Sequence, residues 1–367
     1  MTSPASLPVH LITGLLGSGK TTTLKQLIKQ KPAHEVWGFI INEFGEVDID
    51  AATLSQTDSN NSVLSVAGGC VCCTAQYGLT QAINQLLSQQ TEQLSGQPLT
   101  RIWIEPTGLG HPAKIIDTLT RATFIQPLSL QQIVCVITPQ QLTKARWNKS
   151  AVMRDLVTLS DIILLNKTDL SSKQEIEQAT QLLDNLYPPK QAAFKTEQGQ
   201  IALECLLSPR VSQTLTILSS NSRQECSQGE AEHDKQVQIT TESEKSSLPG
   251  VSHCIKQTEP SSGKIASIGW IFNNQIQFSR TKLKAFFASY GAQLVRAKGI
   301  LKTGNEWQLI NWTNHEGQTQ LTFEGIAWRQ DSRLECIFSE ALKTDSNDLK
   351  PHKVIEIQLL SCISKTA

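Results

Sequence analysis

Residues Thr13–Thr22, with the sequence TGLLGSGKTT, form a phosphate-binding pattern near the start of this 367-residue chain. Such a loop needs glycines so that its backbone N–H groups can point inward around an anion, and the pattern places them at Gly14 and Gly19. Lys20 is expected to reach the β- and γ-phosphates, and Thr21 to hold Mg²⁺. An apolar strand-like stretch precedes the loop and a helix-like stretch follows it. The sequence therefore predicts binding of a nucleoside triphosphate.

A second motif, Asn166-Lys167-Thr168-Asp169, follows the predicted strand Asp161–Leu165. A nucleotide base would bind at the carboxyl ends of the strands in a doubly wound sheet. The Asp169 carboxylate can accept hydrogen bonds from the N1–H and 2-amino groups of guanine, a donor pair that adenine lacks, while the Lys167 stem packs along the ring. Alone, the tetrapeptide also suits an ordinary loop cap. Its place after a late strand favours base recognition, and the predicted nucleotide is GTP.

Between these motifs a predicted strand ends in the acid Glu105, and Gly108 follows three residues later. We expect Glu105 to order the water shell of Mg²⁺ and the Gly108 N–H to sense the γ-phosphate. The alternative is a strand-end acid that caps the next helix. Catalysis is thus assigned to Lys20 and Glu105. Because no arginine finger or water-positioning glutamine can be assigned, slow intrinsic turnover is expected.

Three cysteines crowd into the motif Cys70-Val71-Cys72-Cys73. Thiolates at positions i, i+2 and i+3 can converge on one soft ion, for which Zn²⁺ fits and Cu(I) and Co²⁺ compete. A fourth ligand could be water, Glu43, Glu46 or a group of a receiving protein. Two other interpretations stay open, namely cysteines that pack in a small-residue turn and a redox Cys-x-x-Cys pair.

Composition excludes several classes of function. Lys+Arg and Asp+Glu both number 33, so no overall field favours nucleic acid or an anionic membrane. The start of the chain lacks a positive n-region, and no run of about twenty apolar residues is present, so neither a signal peptide nor a membrane span is expected. We expect a cytoplasmic enzyme, whose nine cysteines would not be paired in disulfides.

Residues 7–207 alternate strand-like and amphipathic helix-like stretches, which predicts an α/β fold with a doubly wound, mostly parallel sheet. The predicted strands are Leu7–Ile12, Val36–Ile41, Arg101–Ile104, Ile133–Ile137, Asp161–Leu165 and Ala192–Lys195. The predicted helices include Gln76–Leu87 and Lys173–Leu186. We expect a P-loop GTPase domain at 1–214, a polar linker at 215–262 and a smaller α+β domain at 263–367.

The C-terminal third carries its own pattern of strands, a helix and a hairpin. The predicted elements are the strand Lys264–Phe272, the helix Thr281–Tyr290, the hairpin Gly299–Trp312 with its turn at Gly304-Asn305, and the strands Gln320–Trp328 and Arg333–Phe338.

Taken in order, five segments resemble the CobW-type metallochaperone GTPases, relatives of the nickel-inserting GTPases of urease and hydrogenase maturation. These segments are Thr13–Thr22, Asn42–Asp50, Gly68–Cys73, Glu105–Gly110 and Asn166–Asp169. The chain is most similar to the zinc-binding bacterial branch of that family. Three C-terminal landmarks extend the resemblance over nearly everything except the linker, and these are Ser267–Phe272, Arg296–Gly299 and Asp331–Glu335.

Two departures from the family pattern stand out. Many members carry a His-rich tract between their domains, whereas this linker offers only His233 and His253. A metal-storage tail is therefore not expected. Asp48 takes the place of the usual glycine in the switch segment Asn42–Asp50 and adds a carboxylate there.

The resemblance implies that Cys70, Cys72 and Cys73 form a transferable-metal motif. It implies a GTPase that binds zinc, hydrolyses GTP to GDP and phosphate, and delivers the zinc to client zinc-requiring apoproteins. The alternative is a zinc-responsive regulatory switch that changes oligomeric state or partner binding without delivering metal. An ATP-dependent kinase is disfavoured by the base motif. The expected cofactors are GTP, Mg²⁺ and Zn²⁺, with a second copy of the chain as an open alternative partner.

The candidate site residues fall into two sets. Those expected to contact the nucleotide are Gly14, Gly17, Ser18, Gly19, Lys20, Thr21, Thr22, Gly108, Asn166, Lys167 and Asp169. Those expected to hold a metal are Thr21, Glu43, Glu46, Cys70, Cys72 and Cys73. Weaker candidates are His111 and a linker set of Cys226, His233, His253 and Cys254, for which a backbone-bonded histidine and solvated linker residues are the favoured interpretations.

Overall fold

The computed structural model describes residues 6–41, 63–67, 75–93, 98–106, 112–207, 251–257, 265–315, 318–339 and 351–365. These residues divide into two units, one that runs through residue 207 and one that begins at residue 251. Each unit has its own β-sheet. No helix within the described residues is both long and apolar enough to cross a membrane.

The first unit is a seven-stranded sheet in the order β3-β2-β4-β1-β5-β6-β7, and every strand pair in it is parallel. Its strands are β1 (Leu7–Gly14), β2 (Trp37–Ile41), β3 (Val63–Ala67), β4 (Arg101–Glu105), β5 (Leu128–Ile137), β6 (Ile162–Leu165) and β7 (Ala192–Lys195). Its helices are α1 (Lys20–Ile28), α2 (Ala75–Gln93), α3 (Pro112–Arg121), α4 (Lys144–Lys149), α5 (Ala151–Leu159), α6 (Lys173–Asp184) and α7 (Glu204–Leu207).

The strand order reverses direction beside β1, which lies between β4 and β5. Ligands of open parallel sheets bind outside the carboxyl ends of the strands at such a reversal. The loop that follows β1 begins at this point. The topology therefore places the phosphate-binding pattern where the fold class positions a ligand.

Apolar side chains cover both faces of this sheet, as its nearly continuous apolar strands require. On one face, Leu24 and Leu27 of α1 pack with Trp37, Phe39 and strand residues of β1 and β5. On the other face, helices α5 and α6 pack against β5 and β6. Each fully buried leucine stabilises the fold by about 1.5–3 kcal/mol. Packing against this face of the sheet thus anchors α1, the helix that begins at the phosphate loop.

The Gln30 side chain, just beyond α1, ties this helix to the last segment of the unit. Its Nε2 donates to the Ile201 carbonyl at 2.9 Å, and its Oε1 accepts from the Leu203 N–H at 2.9 Å. The amide thus satisfies one acceptor and one donor of the main chain, as a neighbouring strand would. This segment leads directly into α7.

The predicted parallel α/β sheet is confirmed, and β3 is an addition to it. The predicted strands match β1, β2, β4, β5, β6 and β7. Strand β3 was missed because its short run contains Ser65 and follows a polar stretch. Helix α6 ends at Asp184 instead of Leu186, since Asn185 caps it and donates from Nδ2 to the Gln181 carbonyl.

The main strands of the second unit form an antiparallel sheet in the order β13-β12-β11-β14-β9-β8. The short strand β10 pairs in parallel with β11, and β15 pairs antiparallel with β10. Its strands are β8 (Val251–Gln257), β9 (Ile265–Phe272), β10 (Gln277–Phe278), β11 (Leu294–Thr303), β12 (Glu306–His315), β13 (Gln318–Gly325), β14 (Ser332–Ser339) and β15 (Ile363–Lys365). Its helices are α8 (Arg280–Tyr290) and α9 (Pro351–Ser361). Alternate strand residues such as Trp270, Trp312 and Phe338 pack with Phe287 and Leu359 of these helices.

The predicted α+β character of the C-terminal part is confirmed, including the hairpin that turns at Gly304-Asn305 between β11 and β12. The linker prediction is wrong for residues 251–257, which form β8 and pair with β9. Their alternation of Val251 and Ile255 with polar residues suits a strand. Residues 215–250 and 258–262 of the predicted linker lie outside the described residues.

The landmark Asp331–Glu335 contains a buried ion pair. Arg333 donates to both carboxylate oxygens of Asp331, at 2.8 and 2.7 Å. Its guanidinium also lies 5.4 Å from the Trp328 ring centroid, and the Trp328 indole donates to the Asp331 carbonyl. The two charge-assisted hydrogen bonds and the cation–π contact hold the Arg333 side chain in place, so this landmark stabilises the sheet.

Candidate nucleotide-binding site

The phosphate loop connects β1 to α1 and has the backbone that its glycines predict. Gly14, Gly17 and Gly19 have φ values of 143°, 72° and 104°. Gly19 is the N-cap residue of α1, so the first N–H groups of the helix face the loop. A helix N-terminus that follows a glycine-rich loop favours a bound anion.

Gly19 also lies against Asn166. A Cβ atom at Gly19 would come within 2.3 Å of Asn166 Nδ2. Only glycine allows this approach together with the positive φ angle. The phosphate loop and the second predicted motif are therefore in direct contact.

Lys20 is the charged residue of the loop, and it is only 7% exposed. Its Nζ donates to the Leu15 carbonyl at 3.2 Å, so the ammonium group lies across the loop. Ser18 is fully buried, and its hydroxyl has no hydrogen-bond partner within the described part of the chain. The lysine position suits charge compensation of a phosphate.

Thr21 and Glu105 come together at the start of α1. The Thr21 hydroxyl donates to Glu105 Oε1 at 2.9 Å, although 84 residues separate the two in sequence. They meet because β4, which ends at Glu105, is the neighbour of β1. Glu105 is 5% exposed. A hydroxyl and a carboxylate at the edge of a phosphate loop are the oxygen donors that Mg²⁺ prefers, so the donor set fits this ion.

Asn166 connects the phosphate loop to a second loop. Its Nδ2 donates to the Ser18 carbonyl at 2.9 Å. Its Oδ1 accepts from the Thr196 hydroxyl at 3.1 Å and from the Gly199 N–H at 3.0 Å. The side chain is 1% exposed. These contacts use both acceptor positions of Oδ1 and one of the two N–H donors of Nδ2.

Lys167 and Asp169 belong to the tight turn that follows. Lys167 has φ 60°, which is unusual for a residue with a side chain, and Thr168–Leu170 form one 3-10 turn. Asp169 lies on the exposed side of this turn. Its carboxylate is accessible to a ligand, as base recognition requires.

An open cavity of about 770 Å³ lies beside the turn, between α6 and the loop after β7. Its lining residues are Thr168, Lys173, Ile176, Glu177, Thr180, Lys195, Thr196, Glu197 and Gln200. Neither Lys167 nor Asp169 lines it. The cavity is therefore a neighbour of the predicted base site and is distinct from it.

Sequence reasoning missed Thr196 and Gly199, the partners of Asn166. Both follow β7 at the carboxyl edge of the sheet. A polar loop with a glycine directly after a predicted strand was the available signal. It was weak because nothing local connects residue 196 with residue 166.

The predicted metal motif lies outside the described residues, as do Gly108 and His111. The motif residues concerned are Glu43, Glu46, Cys70, Cys72 and Cys73. Across the parts of the chain that the structure does describe, no group of three or more His, Cys, Asp or Glu could hold a metal ion. Of the weaker linker candidates, His253 and Cys254 lie in β8, and Cys226 and His233 are not described.

Cys135 lies beneath the phosphate loop, in register with Thr13 on the neighbouring strand. It is fully buried, and burial raises the pKa of its thiol to about 12. The thiol therefore stays protonated at neutral pH. Since metal ligation and nucleophilic chemistry need the thiolate, Cys135 is a packing residue.

Two family models match this chain. The model described as CobW/HypB/UreG, nucleotide-binding domain, matches residues 8–194, and that of the cobalamin synthesis protein cobW C-terminal domain matches residues 267–350. The zinc chaperone YeiR of Escherichia coli K12 is 31% identical over 330 residues, which cover 90% of this chain and 92% of YeiR.

A second relative, YjiA, is similar to this chain in a sequence comparison and in a comparison of structures. The zinc chaperone YjiA of E. coli K12 is 29% identical over 170 residues, which cover 46% of this chain and 52% of YjiA. The crystal structure of Zn(II)-bound YjiA GTPase covers 98% of this chain and 99% of its own, at 18% identity and a TM-score of 0.43. Together, the two matched family models and the similarity to YeiR over 90% of this chain show that this chain belongs to the CobW/HypB/UreG family.

Proposed function

We propose that this protein is a GTP-hydrolysing zinc chaperone. A P-loop GTPase domain at residues 1–214 would bind GTP with Mg²⁺. Cys70, Cys72 and Cys73 would bind zinc for transfer to zinc-requiring apoproteins. The proposal that the protein binds GTP is supported mainly by the contact of Asn166 with Ser18. This contact joins the base-reading turn to the phosphate loop. The zinc part is supported by the cysteine motif and by the names of YeiR and YjiA as zinc chaperones.

Catalysis in this proposal is mainly positioning of the triphosphate. Lys20 and the first N–H groups of α1 would hold the phosphate charge, while Asp169 would hold the guanine edge. Thr21 and Glu105 would hold Mg²⁺, which when bound neutralises charge on the β- and γ-phosphates. Zinc is the cargo of the proposed transfer. Since the sequence assigns no arginine finger or water-positioning glutamine, we expect slow turnover.

Delivery is tested by zinc transfer. Protein loaded with ⁶⁵Zn is mixed with a zinc-requiring apo-enzyme in the presence of GTP, GDP or a non-hydrolysable GTP analogue. We expect transfer with GTP above the level seen in the other two states. Replacement of Cys70, Cys72 and Cys73 by serine should abolish high-affinity zinc binding and hence transfer.

The matched control replaces Cys226 and Cys254 by serine, which should leave zinc binding and transfer unchanged. X-ray absorption of the loaded protein should show about three sulfur ligands at about 2.3 Å. Tight zinc binding without nucleotide-dependent transfer would contradict delivery and favour the zinc-responsive regulatory switch.

Guanine selectivity is expected to depend on Asp169. We predict that Asp169→Ala weakens GTP binding by about 2–4 kcal/mol, because the two guanine donors lose their acceptor. Titration calorimetry with GTP and with ATP gives the two affinities. Asp184→Ala removes an exposed acid at the end of α6 and should change neither. GTP affinity that stays the same in Asp169→Ala would refute the base-reading assignment.

A further inference from the structure

Two consecutive glutamines lie between the two halves of the candidate nucleotide site. Gln140 and Gln141 belong to the loop that joins β5 to α4. Strand β5 is the neighbour of β1 on one side and of β6 on the other. The loop after β5 is therefore flanked by the phosphate loop, which follows β1, and by the base-reading motif, which follows β6.

Gln141 contacts the phosphate loop. Its Nε2 donates to the Leu16 carbonyl at 2.9 Å, and its Oε1 accepts from the Thr138 N–H at 3.2 Å. The Gln141 N–H also donates to the Thr138 carbonyl. The side-chain amide is thus held at both ends, with one end on the phosphate loop and the other at the end of β5.

Gln140 contacts the base-reading turn. Its Nε2 donates to the Leu170 carbonyl at 2.9 Å and to the Ser171 hydroxyl oxygen at 2.7 Å. Ser171 in turn donates from its hydroxyl to the Lys167 carbonyl at 2.8 Å. Gln140 therefore holds the closing end of the turn that carries Asp169.

We propose that Gln140 and Gln141 act as one bridge that sets the spacing between the phosphate loop and the base-reading turn. They are positioning residues, because neither is assigned a contact with the nucleotide. The inference rests on the proposed GTP function. A nucleotide must reach both loops at once, so a preset spacing removes part of the ordering cost of binding.

A purely local role would produce different consequences. If each glutamine only shaped its own loop, the Gln141 contact would matter equally for any ligand of the phosphate loop. A bridge instead matters only for a ligand that touches both loops. Inorganic pyrophosphate, which reaches the phosphate loop alone, distinguishes the two roles.

The experiment compares Gln140→Ala, Gln141→Ala and the double variant with wild type. GTP and pyrophosphate affinities are measured by titration calorimetry, and Tm by thermal unfolding. The matched control is Gln131→Ala, because the Gln131 amide in β5 makes local bonds, to the Ser129 carbonyl and hydroxyl. We expect each single variant to weaken GTP binding by about three- to tenfold, as loss of one hydrogen-bonded link would.

The double variant should resemble the weaker-binding single variant, since a bridge broken at one end is already broken. Pyrophosphate affinity should change by less than about twofold, well below the effect of a lost hydrogen bond. Multiplicative GTP losses, equal losses for GTP and pyrophosphate, or unchanged GTP affinity would each overturn the bridge. Wild-type protein that binds no GTP would overturn the proposed function and the bridge together, whereas the other outcomes leave the proposed function standing.

Discussion

Asn166→Ala is expected to lower the free energy of unfolding by about 3–5 kcal/mol and to abolish GTP binding. The substitution removes the partners of the Ser18 carbonyl, the Thr196 hydroxyl and the Gly199 N–H. A buried polar group that loses its partner costs about 1–3 kcal/mol. Urea unfolding gives the stability, and calorimetric titration gives the GTP affinity.

Asn185→Ala is the matched control for this prediction. Asn185 is exposed at the end of α6 and makes a local bond to the Gln181 carbonyl. Its replacement should cost less than about 1 kcal/mol, as for an exposed cap, and should leave GTP binding intact. If the Asn166→Ala protein were as stable as this control, the buried hydrogen bonds of Asn166 would not contribute to the free energy of unfolding.

Gly14→Ala is expected to lower the free energy of unfolding by about 2–6 kcal/mol and to remove nucleotide binding as well. A Cβ atom at Gly14 would lie 2.0 Å from the Val136 carbonyl oxygen on the neighbouring strand. The backbone must then move, because no flexible side chain can yield. Overpacking and an unfavourable φ each cost about 1–3 kcal/mol. Thermal and urea unfolding check the stability.

Gly78→Ala provides the comparison. Gly78 lies in α2, and a Cβ atom there would meet no atom within 4 Å. Alanine should stabilise this helix by about 0.5–1 kcal/mol. If Gly14→Ala behaved like Gly78→Ala in both assays, the tight approach of β1 and β5 at the loop would not constrain the site.

Much of the nucleotide site follows from local sequence. The glycines of Thr13–Thr22 fix a loop by their backbone requirements, and the flanking strand and helix are visible in the hydrophobic pattern. The meeting of Thr21 with Glu105 required only the parallel sheet order. The three partners of Asn166 could not be predicted, because one of them lies 148 residues away and no local periodicity records such a contact.

In the second unit, too, local features could be predicted from the sequence and non-local contacts could not. Gly304-Asn305 between two alternating runs predicted the hairpin of β11 and β12, since turn residues act locally. Strand β8 escaped prediction because its polar residues resemble the linker before it, and its pairing with β9 is a non-local property. The bridge residues Gln140 and Gln141 carry no signal of their own in the sequence, as glutamine is ordinary in any surface loop.

The pairing of Gln30 with Ile201 and Leu203 has a mechanical consequence for the first unit. Helix α1 begins at the residue that is expected to hold the phosphates, and just past its last turn Gln30 is fastened to the segment that enters α7. Helix α1 therefore connects the phosphate loop at one end to the segment 201–203 at the other. A shift of α1 on nucleotide binding would move this segment as well, so the exposed Ala202 is a suitable place for a fluorescent reporter of nucleotide state.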